Sequence, residues 1–286
     1  MWKMFIELMQ NADKNKILSY MLPYEKFSVT LYSEILHGGK SIYVLRGNFG
    51  EIHGIFSWWQ GSSIHHCLPE VYGKNRSEIE SAFVKFFEEN SIKYIFSISG
   101  EKSGTLMLKK ILENSFEKTP KVQIEYFLME NGRFDSAKDL ARMNRQLSVE
   151  KCGEQEISRV FPLQVEFEKE EVVFEPELFN EDHCLAKFEN FVDAGAVFVG
   201  KIKNAPLCKL TVSAQGKNYV LLGGVFTVPK YRNCGLAKAL LNSVSQKFAA
   251  QSKKCTLFVK TENKAAIKVY EKTGFKKFCN FEILYY

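Results

Sequence analysis

The stretch Gly223-Gly-Val-Phe-Thr-Val-Pro-Lys-Tyr-Arg-Asn-Cys-Gly-Leu-Ala-Lys238 decides how this chain is to be read. An apolar run ends at Pro229, a short polar loop follows, and a helical pattern opens near Cys234. Leu236, Leu240, Leu241, Val244 and Phe248 then recur at three-to-four-residue spacing, which gives one apolar face. A loop between strand and helix presents backbone N–H groups that have no intrahelical partner. With the positive end of the helix dipole, they make an anion site suited to a phosphate or pyrophosphate. Gly235 and Ala237 keep side chains out of the anion's approach, and Arg232 adds a charge.

Downstream, Asn263-Lys-Ala-Ala-Ile-Lys-Val-Tyr270-Glu-Lys-Thr-Gly274-Phe275 reads as a short helix closed by a left-handed glycine cap. Asn263 and Tyr270 are seven positions apart, so they share one face two turns apart. The two segments together resemble the GNAT N-acetyltransferase superfamily. Arg232-Asn-Cys-Gly235-Leu-Ala237 is similar to its R/Q-x-x-G-x-G/A pyrophosphate loop, and the later segment to its N-x-x-A-x-x-x-Y-x-x-x-G-F element.

The resemblance implies an α/β (α+β) fold of mixed, mostly antiparallel sheet flanked by helices. It implies acetyl-CoA as cosubstrate and direct acetyl transfer to a primary amine. Phe226, Thr227 and Val228 would hold the pantetheine through the strand backbone. Arg232, Asn233, Cys234, Gly235, Leu236, Ala237 and Lys238 would form the pyrophosphate loop, and Asn263 would hold the pantetheine arm. Tyr270 would be the catalytic acid that protonates the leaving thiolate. The Tyr219–Val228 strand contains no carboxylate to serve as base. Glu166, Glu168, Glu170, Glu171 and His183 lie on what would be the acceptor side and are expected to be solvated charges. Cys234 has no His/Asp arrangement beside it, and direct transfer needs no acyl-enzyme.

Around these motifs the chain reads as two copies of one order. A helical pattern runs from Phe5 to about His37, broken near Leu22-Pro23. Strands are expected at Ser41–Arg46, Glu51–Trp59 and Ile64–Leu68. A helix opens at Ser77, with Glu80 completing a capping box. It is followed by a strand at Ile92–Ser97, a helix at Ser103–Leu112 and a strand at Gln123–Met129. The second half gives helices at Glu154–Phe167, interrupted near Pro162, and at Glu181–Ala194. Strands follow at Ala196–Ile202, Ala205–Ala214 and Tyr219–Val228, and one at Cys255–Val259 precedes the Lys264–Lys272 helix.

At an offset of 155 residues, Ile42, Tyr43, Val44 and Arg46 align with Val197, Phe198, Val199 and Lys201. Ile55, Gln60 and Gly61 align likewise with Leu210, Gln215 and Gly216. This predicts two tandem GNAT-like domains: a degenerate first one, 1–118, and an active second one, 119–286. The polar stretch Thr119–Asn144, with an Asn131-Gly132 turn, holds the boundary. At the same offset Arg232–Ala237 falls on Ser77–Ala82, which has no glycine.

Composition narrows the class. A chain of 286 residues, 45% hydrophobic and 25% charged, is that of a globular protein, and no apolar run is long enough to span a bilayer. Met1–Lys16 carries Glu7, Asp13 and several lysines, so it does not read as a signal peptide. Seven cysteines without a C-x-x-C pair argue against a disulfide framework or a zinc site and for a reducing cytoplasm. His65 and His66 are adjacent on a strand and point to opposite faces, so no metal is expected. Residues 216–286 carry a net charge of +10 against −4 for the rest. A polyanionic small ligand accounts for that surplus. The lysines are scattered with no aromatic-basic pattern, so neither nucleic acid nor membrane is expected as a partner. The expected partner is a small-molecule or peptide amine, bound by a monomer or homodimer. A non-catalytic acyl-CoA-binding or regulatory protein on the same fold is the competing reading.

Overall fold

The computed structural model describes residues 4–39, 41–58, 63–73, 75–131, 147–173, 177 and 179–286. Trp59, the repeat positions Gln60 and Gly61, and Gly132 with the second half of the polar boundary stretch lie outside the described residues. Two compact units result: 1–128 with 258–262 and 277–286, and 129–257 with 263–276.

The first unit runs β1 (Phe5–Leu8), α1 (Lys14–Met21), α2 (Val29–Leu36), β2 (Ile42–Arg46), β3 (Ile52–Ser57), β4 (Ser63–Cys67), α3 (Arg76–Glu89), β5 (Ser97–Glu101), α4 (Lys102–Phe116) and β6 (Val122–Asn131). β1 to β4 pair antiparallel in sequence, whereas β4 and β5 are parallel. Side chains alternate across the strands. Ile42 and Val44 pack with Ile17, Met21 and Ile35 of α1 and α2. Leu45 and Phe56 pack with Phe83, Phe86, Phe87, Leu108 and Leu112 of α3 and α4.

The second unit repeats this order with β7 (Ser148–Lys151), α5 (Ile157–Phe167), α6 (Glu181–Asp193), β8 (Val197–Ile202), β9 (Ala205–Gln215), β10 (Tyr219–Thr227), α7 (Leu236–Ala249), β11 (Lys254–Lys260) and α8 (Lys264–Glu271). The last strand, β12 (Phe275–Tyr285), runs antiparallel to β5, with Phe281 opposite Glu101 and Tyr285 opposite Ser97, which is why 277–286 belongs to the first unit. β7 to β10 are antiparallel and β10 pairs parallel with β11. Val197 and Val199 pack with Val160, Phe188 and Val192 of α5 and α6, while Phe198 meets Phe248 of α7.

Two tandem GNAT-like copies therefore hold as the fold class, and a buried cation held by two carboxylates recurs in each. Arg46 is paired to Glu7 of β1 at 2.5 Å and to Asp13 at 2.8 Å. Lys201, its repeat partner, is paired to Glu150 of β7 at 3.0 Å and to Glu156 at 2.5 Å.

The repeat is not uniform in offset. α3 and α7 begin at Arg76 and Leu236 and end at Glu89 and Ala249, an offset of 160. The helical turns before them begin at Pro69 and Pro229, again 160 apart. The counterpart of Arg232–Ala237 is thus 72–77 rather than 77–82, and it too lacks glycine at the helix start, where Asn75 stands opposite Gly235.

Four further readings change. Phe5–Leu8 is a strand, drawn onto β2 by pairing and by the Glu7–Arg46 contact, rather than the start of a helix. The capping box at Ser77 does not form: α3 starts one residue earlier, Ser77 bonds Glu78 and Glu80 bonds Arg76. The strand expected at Ile92–Ser97 begins only at Ser97. Helix α5 continues through Pro162, and the irregularity comes later, as a π-helical turn over Glu168–Val172.

Candidate acyl-transfer site

The site is a fork between two parallel strands of the second unit. β10 and β11 stay in register from Tyr219 opposite Lys254 to Leu222 opposite Leu257. β10 continues to Thr227, so its last five residues lie beyond the paired segment. On its other edge it bulges against β9: Gly223 faces Thr211 and Phe226 faces Lys209, so Gly224 and Val225 together stand against Leu210 alone. Gly224 adopts φ +56, a left-handed conformation that favours glycine there. At Gly223 a Cβ would come within 2.6 Å of the Ser213 hydroxyl.

Beyond the fork, Asn233 and Gly235 are both left-handed, with φ 63 and 77. Gly235 is the N-cap of α7 and offers no side-chain oxygen to the first turn. The leading N–H groups of α7, from Leu236, Ala237 and Lys238, thus await an outside acceptor, and all three residues line the same cleft. That cleft, about 670 Å³, takes in Phe226, Thr227, Arg232, Asn233, Gly235, Asn263 and Tyr270. The structure therefore brings most of the sequence-predicted residues to one cavity. Val228 sits at its edge, its N–H donating to the Leu207 carbonyl. Cys234 is an exposed free thiol in the loop and is not among the lining residues.

Tyr270 is buried in the floor of the cleft. Burial, and after it the charge of Glu171, raises its hydroxyl pKa well above the ordinary value, so the phenol stays protonated at neutral pH. Asn263 caps α8, its Oδ1 accepting from the Ala266 N–H at 2.9 Å and its Nδ2 donating to Glu171 Oε1 at 3.0 Å. Arg232 is tied down on three sides. Nε donates to the Thr227 carbonyl at 3.1 Å, a terminal nitrogen meets Glu170 at 2.6 Å, and the guanidinium lies 5.4 Å from the centre of the Phe226 ring.

Two carboxylates expected to be solvated, Glu168 and Glu171, are placed otherwise. Glu171 lines the cleft from the π-helical turn, as does Glu170, which stays exposed as expected. Glu168 is buried, accepts from Gln164 Nε2 at 2.8 Å and lies 3.7 Å from the Lys187 amine. One residue escaped sequence reasoning altogether: Lys209 of β9, fully buried behind the bulge. Its only sequence signal was a lysine between the apolar residues Cys208 and Leu210.

Residues 207–283 match the family model described as FR47-like protein. No curated protein matches the chain. Among solved structures, an acetyltransferase of the GNAT family from Colwellia psychrerythraea is 14% identical, covering 98% of this chain and 99% of that one at a TM-score of 0.59. A GCN5-related N-acetyltransferase from Sphaerobacter thermophilus is 10% identical, covering 98% and 94% at 0.58. A tandem GNAT protein from the clavulanic acid biosynthesis pathway is 11% identical, covering 99% and 98% at 0.56. The chain has the GNAT fold in its tandem form, and its resemblance to that superfamily now rests on the whole architecture as well as on two motifs.

Proposed function

We propose that the protein is an acetyl-CoA-dependent N-acetyltransferase acting on a primary amine through its second unit. The observation that carries this reading is a single cleft joining the uncapped start of α7 to the buried phenol of Tyr270. One end offers backbone N–H groups and a basic loop to a pyrophosphate. The other offers a protonated acid to a departing thiolate. Between them, the end of β10, on the edge turned away from β9, offers backbone groups to an extended amide-bearing arm and a donor to the thioester carbonyl. In the transfer, the neutral acceptor amine would attack the carbonyl carbon. The C–S bond would break, the sulfur would leave with the Tyr270 proton, and the proton shed by the acylated nitrogen would return the tyrosinate to phenol. Seven free cysteines support a reducing cytoplasm as the setting.

The test is release of free coenzyme A from acetyl-CoA in the presence of a panel of small amines, amino acids and peptides. Amine-dependent release supports the reading. Tight acetyl-CoA binding with no release on any amine would favour the non-catalytic binder.

A further inference from the structure

Lys209 has no part in the reaction just described, yet the bulge of β10 is built against it. The residue is 0% exposed, its Nζ donates to the Gly224 carbonyl at 2.9 Å, and the amine lies 4.6 Å from the centre of the Phe167 ring. A Cβ added at Gly224 would come 3.1 Å from that nitrogen. Placing an ammonium in such a position is strongly unfavourable unless partners compensate. Charged and titratable neighbours come from two elements, Glu168 of the π-helical turn and Cys184 and Lys187 of α6. Burial brings the Lys209 pKa down to about 7, with Glu168 and Cys184 pulling it up and Lys187 pushing it further down. A methionine or leucine would fill this space at no electrostatic cost. What neither could do is reach a carbonyl inside the bulge.

That carbonyl belongs to the peptide unit linking Gly224 to Val225, and Val225 and Phe226 line the cleft. Rotating the unit would turn the Val225 N–H and shift the strand end that follows. We propose that Lys209 is a positioning residue for acyl transfer: its amine clamps the Gly224 carbonyl and so fixes the direction of the Val225–Thr227 backbone in the cleft. The proposal rests on the acyl-transfer reading and adds to it a residue that does not touch substrate.

The experiment has two arms. Gly224-Val225 is the one Gly-Val pair in the sequence. Carbonyl-¹³C glycine combined with ¹⁵N valine therefore gives a single amide-to-carbonyl correlation in NMR, which reports the clamped carbonyl directly. In the wild type that carbonyl signal should titrate with a midpoint near 7, and in Lys209→Met it should move upfield and stop titrating. In the kinetic arm, Lys209→Met should lower kcat about 10- to 100-fold, the scale of a misplaced catalytic geometry. Acetyl-CoA affinity by calorimetry should stay within about twofold, because the pyrophosphate loop is untouched. Lys209→Arg, which keeps a long cationic donor, should restore most of kcat.

An unmoved Gly224 signal in Lys209→Met would show that no clamp exists. A moved signal with wild-type kcat would leave the clamp without a role in the reaction. Equal losses of kcat, affinity and melting temperature that arginine does not rescue would reduce Lys209 to packing. Each of these overturns the proposal. If the wild type releases no coenzyme A with any amine, the acyl-transfer reading fails and the catalytic role falls with it, while the NMR arm still decides the clamp.

Discussion

The molecule holds two strand forks of the same topology, and they are treated in opposite ways. In the first unit, β4 and β5 are in register from Ser63 opposite Ser97 to His65 opposite Ser99. His66, just past the last pair, sends its ring across the opening to α4, where Nε2 and the Thr105 hydroxyl are 2.8 Å apart. The ring lies so close to Gly100 and Gly104 that a Cβ at either would come within 2.6 Å of it. His65, pointing the other way, bonds Glu34 of α2. In the second unit, the corresponding end of β10 carries Gly223 and Gly224, and the opening stays clear as a cleft. The helix starts differ as well: Asn75 before α3 has φ −90, whereas Gly235 before α7 has φ 77. The α4 helix has no tyrosine at all, and matching its N-cap Glu101 to Asn263 sets Leu108 opposite Tyr270. A small apolar cavity of about 210 Å³ remains near the first fork, lined by Tyr24, Phe27, His66, Leu68 and Pro69 among others. The contrast teaches that one strand topology can frame an open cleft or a filled one through a few residues at a strand end.

The largest effect that would test this contrast is at Tyr270. Tyr270→Phe keeps the ring packed and removes the acid, so turnover should fall by about 10²–10⁴-fold with acetyl-CoA affinity little changed. Wild-type turnover in a variant limited by chemistry would move the acid elsewhere.

Next is Gly235→Glu, which forces a side chain into a left-handed position and sets a negative charge where the pyrophosphate would lie. The empty loop is expected to relax out of that conformation, and restoring it on binding costs about 1–3 kcal/mol, roughly 5- to 150-fold in affinity by calorimetry. Unchanged affinity would take the loop out of the site.

The third concerns the plugged fork. Burial holds the His66 pKa at about 3 against 6.5 for the free side chain. Between those values the unfolded chain binds the extra proton. The stability this residue contributes is therefore full above pH 6.5 and is lost as pH falls toward 3. Urea titrations should show the pH slope of stability shallower by up to about 1.4 kcal/mol per pH unit in His66→Gln. Acetyl-CoA should still bind at one equivalent per chain in that variant. A second equivalent would mean the first fork is only obstructed.

The smallest effect is expected at Glu170→Gln, which frees Arg232 from its partner. Both groups are partly exposed, so acetyl-CoA should bind only about two- to fivefold more tightly. Weaker binding would show that the pair organises the loop rather than competing for it.

How much of this could be read from the sequence follows from locality. Gly235 and Tyr270 were legible because a loop-to-helix turn and a helix face are set by residues a few positions apart. Strand β1 was hidden: four residues running into a helix blur two periodicities, and their pairing with β2 lies about 40 residues away. The shift of the repeat from 155 to 160 arises between β2 and α3, where the strands are shorter than their counterparts, so one fixed offset mis-set the degenerate loop. Lys209 and Glu168 were illegible because burial of a charge is decided by what packs over it. A single lysine or glutamate in a sequence reads as solvated.

β12 carries a consequence for how the protein is made. Residues 277–286 complete the first unit, although the rest of that unit ends near residue 128 apart from the short 258–262 segment. At about 5–20 residues per second, synthesis of the roughly 150 intervening residues takes on the order of 8–30 s. Through that interval the edge of β5 that β12 will cover presents unpaired N–H and C=O groups. The unit that leaves the ribosome first is thus completed last, only after residue 276, the final residue of the unit made after it.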